Sequence, residues 1–136
     1  MKSLLILVTL LGVGILAIVL WPAAPAQIGA SPASVNFGDV DQGGGPVTTT
    51  VEIRNDGGKP LNIFRVSTSC GCTTAQMDAE PIEPGASRSL TITFDPMVHP
   101  DENGSITRVV YIQSSDPQQP ELVIDVIGNV IPVKPL

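Results

Sequence analysis

Two cysteines, Cys70 and Cys72, are the residues of this chain whose type and spacing point to chemistry. They are the only cysteines in the sequence, and Gly71 alone separates them. Thiol groups this close together can form a disulfide, bind a soft metal ion, or stay reduced and pack as small apolar side chains. The sequence leaves all three interpretations open.

A disulfide between these cysteines would close a very short ring. In a fully extended strand, residues two apart point the same way, but their Cα atoms lie near the outer limit for a disulfide, about 6.8 Å. We therefore expect Gly71 to fold the backbone enough to close the ring. Such a ring stabilises the fold little through chain entropy. We expect a strained bridge, which is either structural or idle, or else redox-active.

A metal site is the second interpretation. Two thiolates suit Cu(I) better than Zn(II), because a structural zinc site needs four ligands and this chain offers two cysteines and one histidine. Met77 and Met97 are soft candidates for a third ligand, and His99 is a borderline one. Their spacing is not diagnostic, so we predict no cofactor and retain Cys70 and Cys72 as the candidate ligands.

The sequence shows no catalytic constellation. Nucleophilic catalysis needs a serine or cysteine with a base and an orienting acid, and the one histidine, His99, is predicted in a different loop from the cysteines. Asp95, Asp101 and Glu102 lack the regular spacing and terminal glutamate of a calcium loop. We therefore predict that the protein is not an enzyme and that His99 is a solvated loop residue.

An apolar segment opens the chain. Residues 4–21 contain a single polar residue, Thr9, and are about long enough to span a membrane as a helix. Residues 24–26 offer a small-x-small cleavage site. Residues 1–26, with an apolar helix in the run at residues 4–21, are thus predicted to be either an uncleaved transmembrane anchor or a cleaved signal peptide. Because Lys2 stays cytoplasmic, the remainder is predicted to be extracytoplasmic, periplasmic or at the cell surface, either anchored or secreted.

Acidic residues outnumber basic ones. The net charge is −6, and it becomes −7 without residues 1–26, because Lys2 is lost and six basic residues remain against thirteen acidic ones. Nucleic-acid binding needs lysine and arginine against the phosphates, so we predict that nucleic acid is not a partner. The membrane is a partner through the N-terminal segment alone.

Alternation of apolar and polar residues predicts a β-domain at residues 33–131, with a tether at residues 27–32 and a tail at residues 132–136. The predicted strands cover residues 33–37, 39–42, 47–55, 61–68, 87–94, 105–113 and 121–130. A parity change within the fourth strand predicts a bulge. Arg108 interrupts the apolar face of the sixth.

About seven short strands and no helical pattern predict an all-β, immunoglobulin-like β-sandwich after the N-terminal helix. A small barrel is the main rival. The Cys–Trp–Cys signature of antibody domains is absent, because the cysteines lie two residues apart and Trp21 belongs to the apolar segment.

Several motifs resemble a known family. They are Asn-Phe-Gly-Asp-Val at residues 36–40, Ile-Arg-Asn-Asp-Gly at residues 53–57, and Ser-Cys-Gly-Cys-Thr at residues 69–73. Over residues 31–130 the chain resembles the bacterial exported domain-of-unknown-function family DUF1573, which is related to Hydin and major-sperm-protein modules. The resemblance implies an exported, immunoglobulin-like, non-catalytic module of unassigned role.

Two functional hypotheses follow. The first is a binding or scaffolding module that docks an unknown protein partner at the cell envelope, with an exposed strand edge as the docking surface. The second is a thiol–disulfide or Cu(I)-handling protein that uses Cys70 and Cys72.

Overall fold

Eight β-strands form in the computed structural model, which describes residues 21–134. The strands are β1 (Ile28–Ser31), β2 (Ser34–Asp41), β3 (Val47–Asn55), β4 (Ile63–Thr68), β5 (Thr73–Gln76), β6 (Ser87–Phe94), β7 (Gly104–Ser114) and β8 (Glu121–Ile131). Single 3-10 turns lie at Gln42–Gly44 and Pro96–Val98. Residues 1–20, which contain most of the predicted N-terminal helix, lie outside the described residues. Between Trp21 and Lys134 no helix is long and apolar enough to cross a membrane.

The strands build two four-stranded sheets, with the orders β1-β3-β6-β5 and β2-β8-β7-β4. Neighbouring strands are antiparallel except β2 and β8, which run parallel. The predicted all-β sandwich is thus confirmed, as two separate sheets and not as one closed barrel. Strands β3 and β6 have the predicted bounds, and the predicted bulge appears as a register shift between Ile63 and Arg65.

The inward faces of both sheets form the core because apolar side chains alternate along each strand. The main cluster is aliphatic, and its fully buried members are Val51, Ile53, Leu61, Leu90, Ile92, Val110, Ile112, Ile124 and Val126. Burying each such side chain stabilises the fold by about 1.5–3 kcal/mol. A smaller cluster at one end of the sandwich contains Cys72 with Val40, Phe94, Ile106 and Val130.

Two strands differ from the sequence-based prediction. Residues 28–31, predicted as tether, form β1 and pair with β3. Residues 73–76, which no predicted strand covers, form β5 and pair with β6. Both strands have four residues, which is too short for alternation to be recognised. The predicted strands at residues 33–37 and 39–42 form the single strand β2, so the sandwich has eight strands, one more than predicted.

Asp116 fixes β1 in place. Its buried carboxylate accepts hydrogen bonds from the backbone N–H groups of Ile28, Gln118 and Gln119, at 2.9, 2.8 and 3.1 Å. Burial by itself would raise the pKa of Asp116, but these three donors outweigh it and lower the pKa below the ordinary value of 3.8. The Ile28 N–H faces outward at the edge of β1, and its hydrogen bond to Asp116 leaves it unavailable to another strand.

Candidate functional site

The two cysteines lie where the chain passes from one sheet to the other. Strand β4 is an edge of the second sheet, β5 is an edge of the first, and residues 69–72 connect them. Cys70 and Cys72 are joined by a disulfide with an S–S distance of 2.08 Å and a Cα–Cα distance of 5.2 Å. The Cα separation is shorter than in an extended strand because the Thr73 N–H donates to the Cys70 carbonyl at 3.1 Å and closes a turn.

Gly71 does not play the part predicted for it. The glycines of residues 21–134 with positive φ are Gly38, Gly45, Gly85 and Gly104, so Gly71 does not use the left-handed region. Apart from its neighbours Cys70 and Cys72, a Cβ atom added at Gly71 would meet no heavy atom within 4 Å. The expectation that glycine's backbone freedom closes the ring is therefore wrong. Gly71 is exposed, and residues other than its two cysteine neighbours leave room for a side chain there.

Hydrogen bonds outside the bridge hold the turn to both sheets. The Asp95 N–H donates to the Cys72 carbonyl at 2.8 Å, and the Ser69 N–H donates to the Val109 carbonyl at 2.9 Å. The Thr68 hydroxyl lies 3.0 Å from the Cys70 carbonyl oxygen and 2.8 Å from that of Thr73. None of these bonds involves a sulfur atom, so hydrogen bonds hold the turn in place independently of the disulfide.

The two sulfurs have different surroundings. Cys72 is only 2% exposed, and its Sγ accepts a hydrogen bond from Nε of Arg108 at 3.1 Å. Cys70 is partly exposed, and its Sγ lies 3.4 Å from Nε2 of the exposed His99. The Cys72 N–H also lies 3.1 Å from the Cys70 sulfur. One sulfur is thus inside the fold beside a cation, and the other faces solvent.

Arg108 is the site residue to which the sequence assigned no role. It occupies an inward position on β7 between the buried Ile106 and Val110, and its side chain is 14% exposed. Its other nitrogens form an ion pair with Glu102 and donate to the Thr107 carbonyl at 2.9 Å. The signal was present in the sequence, because an arginine that interrupts an apolar face needs a polar partner inside the fold.

The residues proposed as metal ligands come together only in part. Among residues 21–134, Cys70, Cys72 and His99 form the one group of three that could hold a metal ion, with their ligand atoms within 4.8 Å of one another. Both sulfurs are used in the bridge, so neither is a free thiolate. Met77 packs against the main core, whereas Met97 is exposed in the second 3-10 turn.

The acidic residues near His99 do not converge on a cation. The Asp95 carboxylate accepts from the Met97 N–H at 2.9 Å and caps the 3-10 turn, and Glu102 pairs with Arg108. A groove of about 500 Å³ runs past this end of the sandwich, lined by His99, Pro100, Asp101, Glu102 and Arg108. The two side chains that contact the sulfurs therefore also line a solvent-accessible groove.

A second groove lies between the edge strands β4 and β5. Its volume is about 390 Å³, and its lining is Ile63, Phe64, Arg65, Val66, Ala75, Gln76, Met77, Asp78 and Ala79. Phe64 is 68% exposed, more than any other large apolar side chain within a described strand. An exposed aromatic beside a groove of mixed polar and apolar lining is typical of a binding surface.

Two four-stranded sheets, with a short cystine turn where the chain changes sheet, define an immunoglobulin-like module. The sequence model of the family "Protein of unknown function (DUF1573)" matches residues 28–130. The chain belongs to this family, which confirms the resemblance seen in its motifs. The match begins at the first residue of β1, in agreement with the strand that the sequence-based prediction missed.

Solved structures support the same fold. A protein of unknown function from Porphyromonas gingivalis W83 is 31% identical with a TM-score of 0.70, and the match covers 83% of this chain and 51% of that one. The chain therefore spans about half the length of that protein. The PapD-like domain 7 of human CEP192 has 14% identity, a TM-score of 0.60, and coverage of 98% and 99%.

A third similar structure is WR4, a Caenorhabditis elegans member of the MSP family, with 13% identity and a TM-score of 0.53. The match covers 74% of this chain and 96% of that one. At these identities the human and nematode domains establish the immunoglobulin-like, PapD-like fold and nothing more. No curated protein matches the chain.

Proposed function

We propose that this protein is a non-catalytic binding module that lies outside the cytoplasmic membrane and takes up an extended segment of a partner protein. The segment would occupy the groove between β4 and β5 and add to the sheet as a further strand. The observation that carries this proposal is the exposure of Phe64, 68% of its surface, beside that groove.

The β4 edge is the more suitable of the two sides of the sandwich. In the described sheets β4 pairs with β7 alone and β5 with β6 alone, so each has one side without a strand neighbour. Edge strands present N–H and C=O groups that another chain can pair with. On the opposite side, Asp116 occupies the N–H of Ile28 in β1.

The lining of the groove defines the chemistry of its occupant. Ile63, Val66, Ala75 and Met77 make about half of the groove lining apolar, while Arg65 and Asp78 contribute one charge of each sign. A strand presents alternate side chains to one face, so an occupant with apolar residues at every second position would fit. The net charge of −6 disfavours an acidic segment.

Two observations support the proposed location. The apolar residues 4–21 that follow Lys2 are typical of an export segment. A disulfide between Cys70 and Cys72 persists in an oxidising compartment. Fusion of alkaline phosphatase, which is active only after export, to residue 136 of the full chain tests the location. Activity in intact cells is expected, and an inactive, cytoplasmic fusion would contradict the proposal.

Selection of random dodecapeptides against the full chain in detergent tests the binding site. Selected peptides are expected to alternate apolar and polar residues and to protect amides of β4 from hydrogen exchange. Phe64→Ser should weaken their binding about 10- to 100-fold, because burial of a phenylalanine contributes about 1.5–3 kcal/mol. Ile127→Ser, which alters another exposed apolar strand residue, is the control and should have no effect. Protection confined to another edge would refute the proposal.

The second candidate function is thiol–disulfide or Cu(I) chemistry at Cys70 and Cys72. It is favoured by the contact between Arg108 and the Cys72 sulfur, because a buried cation beside a cystine favours the thiolate that forms on reduction. Cu(I) binding would require the reduced pair. Titration of free thiols, with and without reductant, followed by competition for Cu(I) with a chromogenic chelator, separates the two chemistries.

A further inference from the structure

We propose that the Cys70–Cys72 bridge is a thiol–disulfide exchange site with a fixed polarity. An incoming thiolate attacks the Cys70 sulfur, and Cys72 leaves as a thiolate that Arg108 stabilises. The chemical class of partner is an exported protein that carries a reactive dithiol. This inference rests on the second candidate function and is independent of strand addition at the groove, so the two can fail separately.

Access to the two sulfurs sets the direction of attack. Cys72 is 2% exposed and packs in the small core with Phe94 and Ile106. Cys70 is partly exposed, and its neighbour Gly71 is exposed. An attacking thiolate must reach the sulfur directly. Only Cys70 meets this condition in the folded protein.

The environment of Cys72 suits a leaving group. Exchange is faster when the departing thiolate is better stabilised, and Nε of Arg108 already lies 3.1 Å from the Cys72 sulfur. Hydrogen bonds from a charged donor to an anion are roughly twice as strong as neutral ones. Because Arg108 is held by Glu102 and by the Thr107 carbonyl, it needs no rearrangement when the charge appears.

The exchange balances in two steps. The partner's first thiolate bonds to the Cys70 sulfur, the Cys70–Cys72 bond breaks, and its electron pair leaves on Cys72. The partner's second thiolate then attacks its own first sulfur in the mixed disulfide and releases Cys70 as a thiolate. The partner is oxidised to a disulfide, and this domain gains two electrons and the two protons that the partner's thiols give up.

Direct identification of the attacked sulfur tests the polarity. Oxidised full chain is treated with reduced glutathione, quenched with acid, alkylated with N-ethylmaleimide and sequenced by fragmentation mass spectrometry. We expect glutathione on Cys70 and the maleimide on Cys72, in at least about tenfold excess over the reverse pattern. Equal labelling, the reverse pattern, or no reaction in the folded protein would overturn the proposal.

Removal of the cation tests the role of Arg108. The rate of bridge reduction by dithiothreitol is expected to fall about tenfold in Arg108→Gln, a change that corresponds to about 1.4 kcal/mol. Arg54→Gln is the matched control, because Arg54 is exposed and lies at the end of β3 that pairs with Ser87, away from Phe94 and the cystine. Its rate should be unchanged.

The sign of the effect separates this role from a structural one. If Arg108 merely supported the fold, its replacement would loosen the small core, expose Cys72 and speed reduction. Arg108→Lys, which keeps the charge but cannot reproduce the Nε contact, should fall between the wild type and Arg108→Gln. An unchanged or faster rate in Arg108→Gln would overturn the assignment of Arg108.

Discussion

Replacement of Asn55 is expected to destabilise the fold more than any surface substitution of the same size. Asn55 ends β3 and is completely buried, with a relative exposure of 0%. Its Nδ2 donates to the carbonyls of Lys59 and Ile82 at 2.7 and 2.9 Å, and its Oδ1 accepts from the N–H groups of Gly57 and Gln27 at 3.0 and 3.3 Å. One side chain thus bonds to four backbone groups, on residues 27, 57, 59 and 82.

The magnitude follows from those four bonds. In Asn55→Ala the buried carbonyl of Ile82 loses this donor, although the Leu61 N–H still donates to it at 2.9 Å, so the penalty for this group is about 1 kcal/mol. The other three bonds contribute about 1 kcal/mol each. The total loss is about 4 kcal/mol, which corresponds to a fall in Tm of roughly 15–30 °C for a domain of this size.

Urea unfolding followed by far-ultraviolet circular dichroism measures the free energy of unfolding of both variants. Asn62→Ala is the matched control, because Asn62 is exposed and its hydrogen bonds to Ser115 use the backbone. The control should change stability by less than about 0.5 kcal/mol. A loss below about 1 kcal/mol in Asn55→Ala would show that this corner does not depend on the Asn55 side chain.

Three further predictions concern stability. Because the pKa of Asp116 is lowered below 3.8, its carboxylate stabilises the fold above that pH. The difference in free energy of unfolding between wild type and Asp116→Asn should therefore shrink as the pH falls below about 3.8. A difference that stays constant with pH would contradict this. The double variant Cys70→Ser, Cys72→Ser should unfold within about 1 kcal/mol of the wild type in urea, because the ring is so short. In calorimetry, Gly71→Ala should leave the Tm unchanged, whereas Gly85→Ala, at a φ of 77°, should lower it by several degrees.

Strong alternation made much of the fold predictable from the sequence. Strand β3 repeats β-branched residues at every second position from Val47, and its bounds match the structure at both ends. Strands β1 and β5 escaped prediction because each has four residues and each is a strand only through pairing with another strand. Pairing of that kind is a non-local property, which no short window of sequence contains.

The candidate site was only half predictable for the same reason. The spacing of Cys70 and Cys72 is visible in the sequence, and so is the irregular position of Arg108 on its strand. The contact between Arg108 and Cys72 joins residues 36 positions apart, and that between His99 and Cys70 joins residues 29 positions apart. These contacts arise because β7 pairs with β4 and because the chain changes sheet directly after β4.

The position of the bridge argues for a chemical role over a structural one. The stability of this sandwich comes from its aliphatic core, and the turn at residues 69–72 has backbone bonds that need no sulfur. A bridge that spans one residue adds little to the stability of the sandwich or of the turn. The same bridge nevertheless places one sulfur beside solvent and the other beside a buried guanidinium. If stability were its purpose, the cation at Cys72 would not be needed, whereas thiol–disulfide exchange uses it.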